Sequence, residues 1–511
     1  MHTELVGCRT RLAHRVLHRT GPHGLICAPA TSRVLETSLL LFLLTAEDLA
    51  PAHADVARSY LKDALDNNPP DPLQCAFARA ALGEPVPGDA AQRALASFTH
   101  FSSPRKLLSF TVLLAELTGA PPPPGPPADA FDTRYEQVWV RFQMLALKTI
   151  VTPHAATPAD LARLTPALAP GPPWQANNLA RLLGLLALRK VPAHRPAVRR
   201  ALEQLADEQL PGGGLPFITG LDIFATALAG IALTRTHPGN PRLTGMAGTL
   251  ARHQNPDGGF GFTAGVTQSD TDDTAYVVEF LRTTTHRHAD TLAAAERHLL
   301  ALRNPDGGFP TFVHGAPSEI AMTAGAVNAL APNPAHRAVI EDAVAFLLEN
   351  DTVIERSWSR NSTNAVFRTT LAYAALPADA PAGMRAGART ARARGLRHLL
   401  DTQQADGGWG HTPDEPTDPI STAYAVIALS RAPEHTPELD RALHYLRIHQ
   451  QPDGGYLSRP DQAGPRPLLY DTPALADICV LLALTTPPGH EHKVGLGPAP
   501  EGRPGGRPVT R

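Results

Sequence analysis

Gln254-Asn255-Pro256-Asp257-Gly258-Gly259-Phe260 recurs, with small changes, as Arg303-Asn304-Pro305-Asp306-Gly307-Gly308-Phe309, Gln403-Gln404-Ala405-Asp406-Gly407-Gly408-Trp409 and Gln450-Gln451-Pro452-Asp453-Gly454-Gly455-Tyr456. The aspartates at 257, 306, 406 and 453 lie 49, 100 and 47 residues apart. The gap of 100 is two periods, and its midpoint falls near Trp358 in a degenerate copy, Arg356-Ser357-Trp358-Ser359. A further degenerate copy spans Gln209-Leu210-Pro211-Gly212-Gly213-Gly214-Leu215-Pro216-Phe217. Six repeats result. Each is followed by an apolar helical segment, at 223–233, 276–281, 321–330, 370–376, 422–429 and 474–484, and a second helix precedes the next turn. Six helix pairs at this period predict an array closing into a toroid of inner and outer helices. The glycines make the tight turn and the aromatic covers it, a structural role for Phe260, Phe309, Trp409 and Tyr456.

Composition bounds the rest. A chain of 511 residues is too long for one ordinary core, and 43% hydrophobic content fills two or three. Fifty-one prolines and forty glycines punctuate a background rich in helix-forming Ala, Arg and Leu, which predicts an all-α protein. A formal charge of −2 leaves no basic field for nucleic acid. Cys8, Cys27, Cys75 and Cys479 are too scattered for a disulfide framework or a cysteine-rich zinc site, and a cytoplasmic location is expected. Residues 1–19 carry arginines without the apolar run of a secretory signal, and the apolar run 39–45 is too short to span a bilayer.

Within the array, Ser269-Asp270-Thr271-Asp272-Asp273-Thr274-Ala275 puts three carboxyls at a helix start. Ser269 is the expected N-cap, and acids in the first turn suit the positive end of the helix dipole. At about 100° per residue Asp270 and Asp273 share a face, while Asp272 points about 200° away from Asp270. Ionised carboxyls about 5 Å apart at an effective dielectric of about 20 repel by roughly 3 kcal/mol per pair, or about two pKa units. In a dry site one proton is therefore retained near pH 7 and is available for transfer. A solvated helix turn or a divalent-cation site are the bland alternatives.

The repeats are similar to the QW motifs of the terpene cyclase and protein prenyltransferase β-subunit superfamily, and SDTDDTA resembles the DxDD signature of class II, protonation-initiated terpene cyclases. The resemblance implies two α-helical barrel or toroid domains. Residues 1–29 would supply an N-terminal helix to the β domain, 30–195 would be an inserted γ domain, and 196–487 the β domain, an (α/α)6 barrel. Residues 488–511, rich in Gly and Pro, are expected to be a disordered tail. By the same resemblance Asp272 would be the general acid, with Asp270 and Asp273 tuning it, and a substrate diphosphate would be kept. Geranylgeranyl diphosphate giving a labdane or copalyl-type diphosphate is the first expectation, and farnesyl diphosphate giving drimenyl diphosphate the alternative. Only 5% aromatic residues argue against a long triterpene cyclisation.

The resemblance also implies Mg2+ bound with the diphosphate. The nearest match to the family's acidic motif is Val34-Leu35-Glu36-Thr37, in which Thr37 replaces the second acid, so Glu36 is the expected metal contact. A charged residue in such an apolar helix otherwise sits at an exposed end. Tyr276 and Trp358 are expected to line the cavity, and His314 to face it and orient an acid or base. His14, His18, His286 and His288 are expected on the surface. The basic pairs Arg105-Lys106 and Arg189-Lys190 could meet an anion, although solvated surface is the plainer reading. Pro121–Pro127 reads as a stiff exposed connector. Two rivals remain: a zinc-dependent prenyltransferase β-subunit, for which Cys479 lacks a nearby histidine, and a non-catalytic toroid scaffold.

Overall fold

The computed structural model describes residues 2–96, 98, 100–121, 131–284, 288–351, 358–432 and 436–486. Most of the expected proline connector, His286, the Arg356-Ser357 half of one degenerate copy and the 487–511 segment lie outside the described residues. The described chain is helical apart from short pairings such as Ser32–Arg33 with Leu215–Pro216 and Gln462–Ala463 with Leu469–Tyr470.

The repeated turn folds the same way each time. In the full copies the first glycine takes a positive φ, 86° at Gly258, 83° at Gly307, 90° at Gly407 and 86° at Gly454, where a side chain would be strained. The aspartate caps the turn from inside: Asp257 Oδ1 accepts from Gly259 N at 3.0 Å, and Asp306, Asp406 and Asp453 repeat the bond at 2.9, 3.0 and 3.0 Å. The leading glutamine ties turn to outer helix. Gln254 Nε2 donates to Gly258 O and Thr291 O, Gln403 Nε2 to Gly407 O and Glu438 O, and Gln450 Nε2 to Gly454 O and Cys8 O. The aromatic's backbone is then pinned to the next inner helix, Phe260 N on Thr274 Oγ1, Phe309 N on Thr323 Oγ1 and Trp409 N on Thr422 Oγ1.

Among the described residues the inner helices are Asp222–Thr236, Thr271–Thr283, Ile320–Leu330, Ser362–Ala374, Pro419–Leu429 and Ala474–Thr485. Each packs on the next, and the last packs on the first, so the ring closes. Five outer helices, Pro241–Arg252, Ala289–Leu302, Arg337–Glu349, Ala382–Thr402 and Pro437–Ile448, back the inner ones, and His2–His18 fills the sixth outer place against Ala474–Thr485. Inner helices are buried all round and carry little amphipathic pattern, whereas outer helices such as Pro437–Ile448 bury one stripe, Leu439, Ala442, Tyr445 and Leu446. The fourth inner helix begins at Ser362, well before the apolar segment expected from 370. Its first two turns carry Asn364 and Arg368, polar side chains that face the interior of the ring and so hide the helix from a hydrophobicity reading.

Ahead of the ring, Val34–Glu47 is almost wholly buried and packs on Pro51–Asn67, Pro72–Ala81 and Asn178–Arg189. Arg195–Ala206 packs on the same layer, against Asn178–Arg189 and Val34–Glu47. Among the described residues no helix is long and apolar enough to cross a membrane.

Candidate active site

The helix Thr271–Thr283 starts where the turn at Phe260 hands the chain inward, and the Phe260–Asp270 bridge fixes its first residue. Asp270, not Ser269, is the N-cap. Its Oδ1 accepts from Asp273 N at 2.7 Å, while Ser269 Oγ is drawn back to Asp257 Oδ1 at 2.7 Å. The turn's own aspartate thus takes the serine and leaves the cap to a carboxyl.

Asp270 and Asp273 are both buried, at 4% and 5% exposure, and their side chains meet. Burial pushes Asp270 up to about 7, against the hydrogen bonds from Asp273 that lower it. Burial first, and the neighbouring Asp270 charge second, raise Asp273 well above the carboxylate range. Between them they hold a proton at neutral pH. Asp272 points elsewhere, is 24% exposed, and accepts a charge-assisted hydrogen bond at Oδ1 from Arg368 Nη2. Arg368 is 3% exposed and its guanidinium also lies 4.3 Å over the Tyr276 ring.

All three acids line one cavity with Trp139, Phe217, Phe224, Phe262, Phe312, Trp358 and Tyr470. The aromatic walls are interlocked edge to face: Trp139 with Phe312 at 5.1 Å, Phe312 with Trp358 at 5.4 Å and Phe224 with Tyr276 at 5.4 Å between centroids. The roof is the short hairpin of Gln462–Ala463 and Leu469–Tyr470, which contributes Gln462 and Tyr470. The structure therefore brings Asp270, Asp272, Asp273 and Trp358 to one space, with Tyr276 beneath Asp272 in an adjoining recess.

Two expected residues lie elsewhere. His314 is exposed on the turn before Gly315, outside the cavity wall, because the aromatic Phe312 takes the inward position of that loop. Glu36 is fully buried rather than at an exposed end, and both its oxygens are engaged by Arg33, Oε2 by Nε at 2.7 Å and Oε1 by Nη2 at 2.5 Å. Thr37 Oγ1 is likewise used, donating to Arg33 O and accepting from Leu215 N. Among the described residues no group of three His, Cys, Asp or Glu side chains is placed to hold a metal. The expected protein-held Mg2+ contact at Glu36 does not fit this donor set.

Sequence reading missed Arg368 as a site residue, since its partner is 96 positions away and Arg368 sits in an otherwise ordinary helix. It also left Arg105-Lys106 on the surface. Arg105 pairs with Glu136, and burial, with the charges of Arg105 and Arg466, pushes Lys106 down to about 7. Arg189 and Lys190 do find partners at the surface layer, Glu47 and Glu116.

Buried, paired carboxyls opening into an aromatic chamber inside a closed double ring of helices are the arrangement of a class II terpene cyclase. No protein-family model matches the chain. Over 499 residues it is 58% identical to drimenyl diphosphate synthase of Streptantibioticus cattleyicolor, covering 93% of this chain and 94% of that protein. Over 507 residues it is 52% identical to drimenyl diphosphate synthase of Streptomyces showdoensis, covering 94% of each. Its fold is similar to that of ent-copalyl diphosphate synthase from Streptomyces platensis, with a TM-score of 0.61 at 19% identity over 95% of this chain and 99% of that one. The chain belongs to the drimenyl diphosphate synthase family of class II terpene cyclases.

Proposed function

We propose that this enzyme protonates the terminal double bond of farnesyl diphosphate and closes two rings to give drimenyl diphosphate, the diphosphate being retained. The family's names favour this C15 alternative over the geranylgeranyl substrate expected first. The observation that carries the reading is the split of the acid trio: Asp270 and Asp273 meet as a buried pair, while Asp272, the most exposed of the three, reaches into the chamber.

In this reading Asp272 delivers the proton to the alkene carbon, and Arg368 stabilises the carboxylate left behind. The Asp270 and Asp273 pair is the reserve from which Asp272 is recharged. The cation then passes through ring closure against the faces of Phe224, Phe262, Phe312 and Trp358. Loss of one proton from carbon ends the sequence, so substrate and product are isomers. Magnesium, where used, would arrive on the substrate diphosphate and screen its charge. The unpaired cysteines support the cytoplasm as the compartment.

The test is incubation of the purified protein and Mg2+ with farnesyl and geranylgeranyl diphosphate separately, then phosphatase treatment and gas chromatography with mass spectrometry. A bicyclic C15 alcohol, absent with Asp272→Ala, is the expected result. Turnover of the C20 substrate alone would return the assignment to a labdane-type product.

A further inference from the structure

A carboxyl that the proposed reaction does not use joins the roof to the chamber wall. Asp461 stands just before the roof hairpin, 3% exposed and outside the chamber lining, and its two oxygens collect four side-chain donors. Oδ1 accepts from Ser359 Oγ and Asn361 Nδ2, and Oδ2 from Gln462 Nε2 at 3.0 Å and Tyr424 OH at 3.2 Å. Ser359 and Asn361 lead into the fourth inner helix, Tyr424 belongs to the fifth, and Gln462 to the hairpin, so one side chain joins three elements. The backbone repeats the link: Arg360 N donates to Asp461 O at 3.0 Å, Ala463 N donates to Trp358 O at 2.8 Å, and Ser359 bridges to Gln462. A buried group met by donors alone has to be an acceptor at both ends, which a carboxylate is and an amide, with one oxygen, is not.

What Asp461 holds borders the reacting space. Trp358 and Gln462 line both the acid chamber and the recess under Asp272, and Ser359 and Tyr424 line the recess. We infer that Asp461 is a positioning residue for the second ring closure: it fixes Trp358 and the roof, so that the chain left after the first closure stays folded against the wall. The inference rests on the proposed cyclisation for its product readout. The first closure leaves a tertiary cation and one alkene still to fold onto it, and closure needs the reacting carbons held close and aligned. A cation whose alkene is out of reach instead loses a proton from a neighbouring carbon to water, which gives a monocyclic diphosphate, again an isomer of the substrate. Fixing the wall therefore decides how many rings form, and leaves the tightness of substrate binding alone.

Asp461→Asn keeps the shape and removes one acceptor oxygen, Asp461→Ala removes both, and Tyr424→Phe removes a single donor. Hydrogen exchange of the full chain without substrate tests the link: segments 358–363 and 459–470 are expected to exchange at least about tenfold faster in Asp461→Ala, with the helices of the ring unchanged. Product analysis after phosphatase treatment tests the closure. The monocyclic share of the C15 alcohols is expected to rise at least about fivefold in Asp461→Asn and further in Asp461→Ala, with Tyr424→Phe moving it least and KM for farnesyl diphosphate changed less than about threefold. Folded Asp461→Asn and Asp461→Ala that keep the wild-type product ratio overturn the inference at any rate of turnover, because a residue that only stabilises the fold leaves that ratio alone. Faster exchange of the two segments in Asp461→Ala, in a protein whose wild type cyclises neither prenyl diphosphate, would overturn the proposed function and uphold Asp461 as the link between wall and roof.

Discussion

The repeat that carries Asp270 and the repeat that carries Asp418 are built alike and behave differently. In both, an aspartate bridges back to the aromatic of its turn, Asp270 to Phe260 and Asp418 to Trp409, and caps an inner helix. Asp270 Oδ1 accepts from Asp273 N at 2.7 Å, and Asp418 Oδ1 from Ser421 N at 2.9 Å. The difference is the side chain at that third helical residue. Ser421 Oγ and Ser458 Oγ donate to Asp418 at 2.5 and 2.8 Å, so both its oxygens are met by hydroxyls. Asp270 instead faces a second buried carboxyl, and the pair cannot both ionise. In the proposed reaction, a carboxyl where the other repeat has a hydroxyl separates a proton store from a helix cap.

That comparison can be broken or sharpened by measurement. Asp272→Ala removes the delivering carboxyl, and kcat for farnesyl diphosphate should fall by about 10⁴-fold with unchanged circular dichroism. Asp273→Ser rewrites the acid repeat in the pattern of Asp418. Turnover should fall by about 10²-fold, and a variant with near wild-type kcat would show that the carboxyl pair is no store.

Turnover by the wild type should fall as pH rises through about 7, where Asp270 ionises and leaves the pair only the Asp273 proton, and in Asp273→Ser, which lacks the second acid, the fall across that pH should be complete. The same shift has a stability sign. Asp270 holds its proton more tightly folded than unfolded, where its pKa is about 3.9, so its contribution to stability declines as pH rises from there to about 7. Urea midpoints across that range check it. The smallest effect is expected at Asp418→Asn, which keeps the cap acceptor: a stability loss of about 1 kcal/mol in urea and turnover within about twofold of wild type.

Repetition made the ring legible. A turn needing positive φ at one glycine and a carboxylate two residues before a particular N–H is a local requirement, so each copy writes it in adjacent letters. The helix pairs, their count and the position of the acid trio at an inner helix start follow from that spacing. The neighbourly contact of Asp270 with Asp273, and the divergence of Asp272, follow from helical geometry alone. Tertiary structure decided the rest, because charge is balanced across space and not along the chain. Arg368 reaches Asp272 from 96 positions away, Arg466 reaches Glu319 from 147, and no local pattern announces either. Glu36 is met by Arg33 only three residues before it, and what folding adds there is the burial of the pair, whereas Lys106 reads as surface until Ser103–Thr118 turns it into a pocket shared with an aromatic wall. Local backbone demands are met by near neighbours and appear in the sequence. The partners of buried charges are chosen by whichever helices the closed ring and its first-half layer bring together.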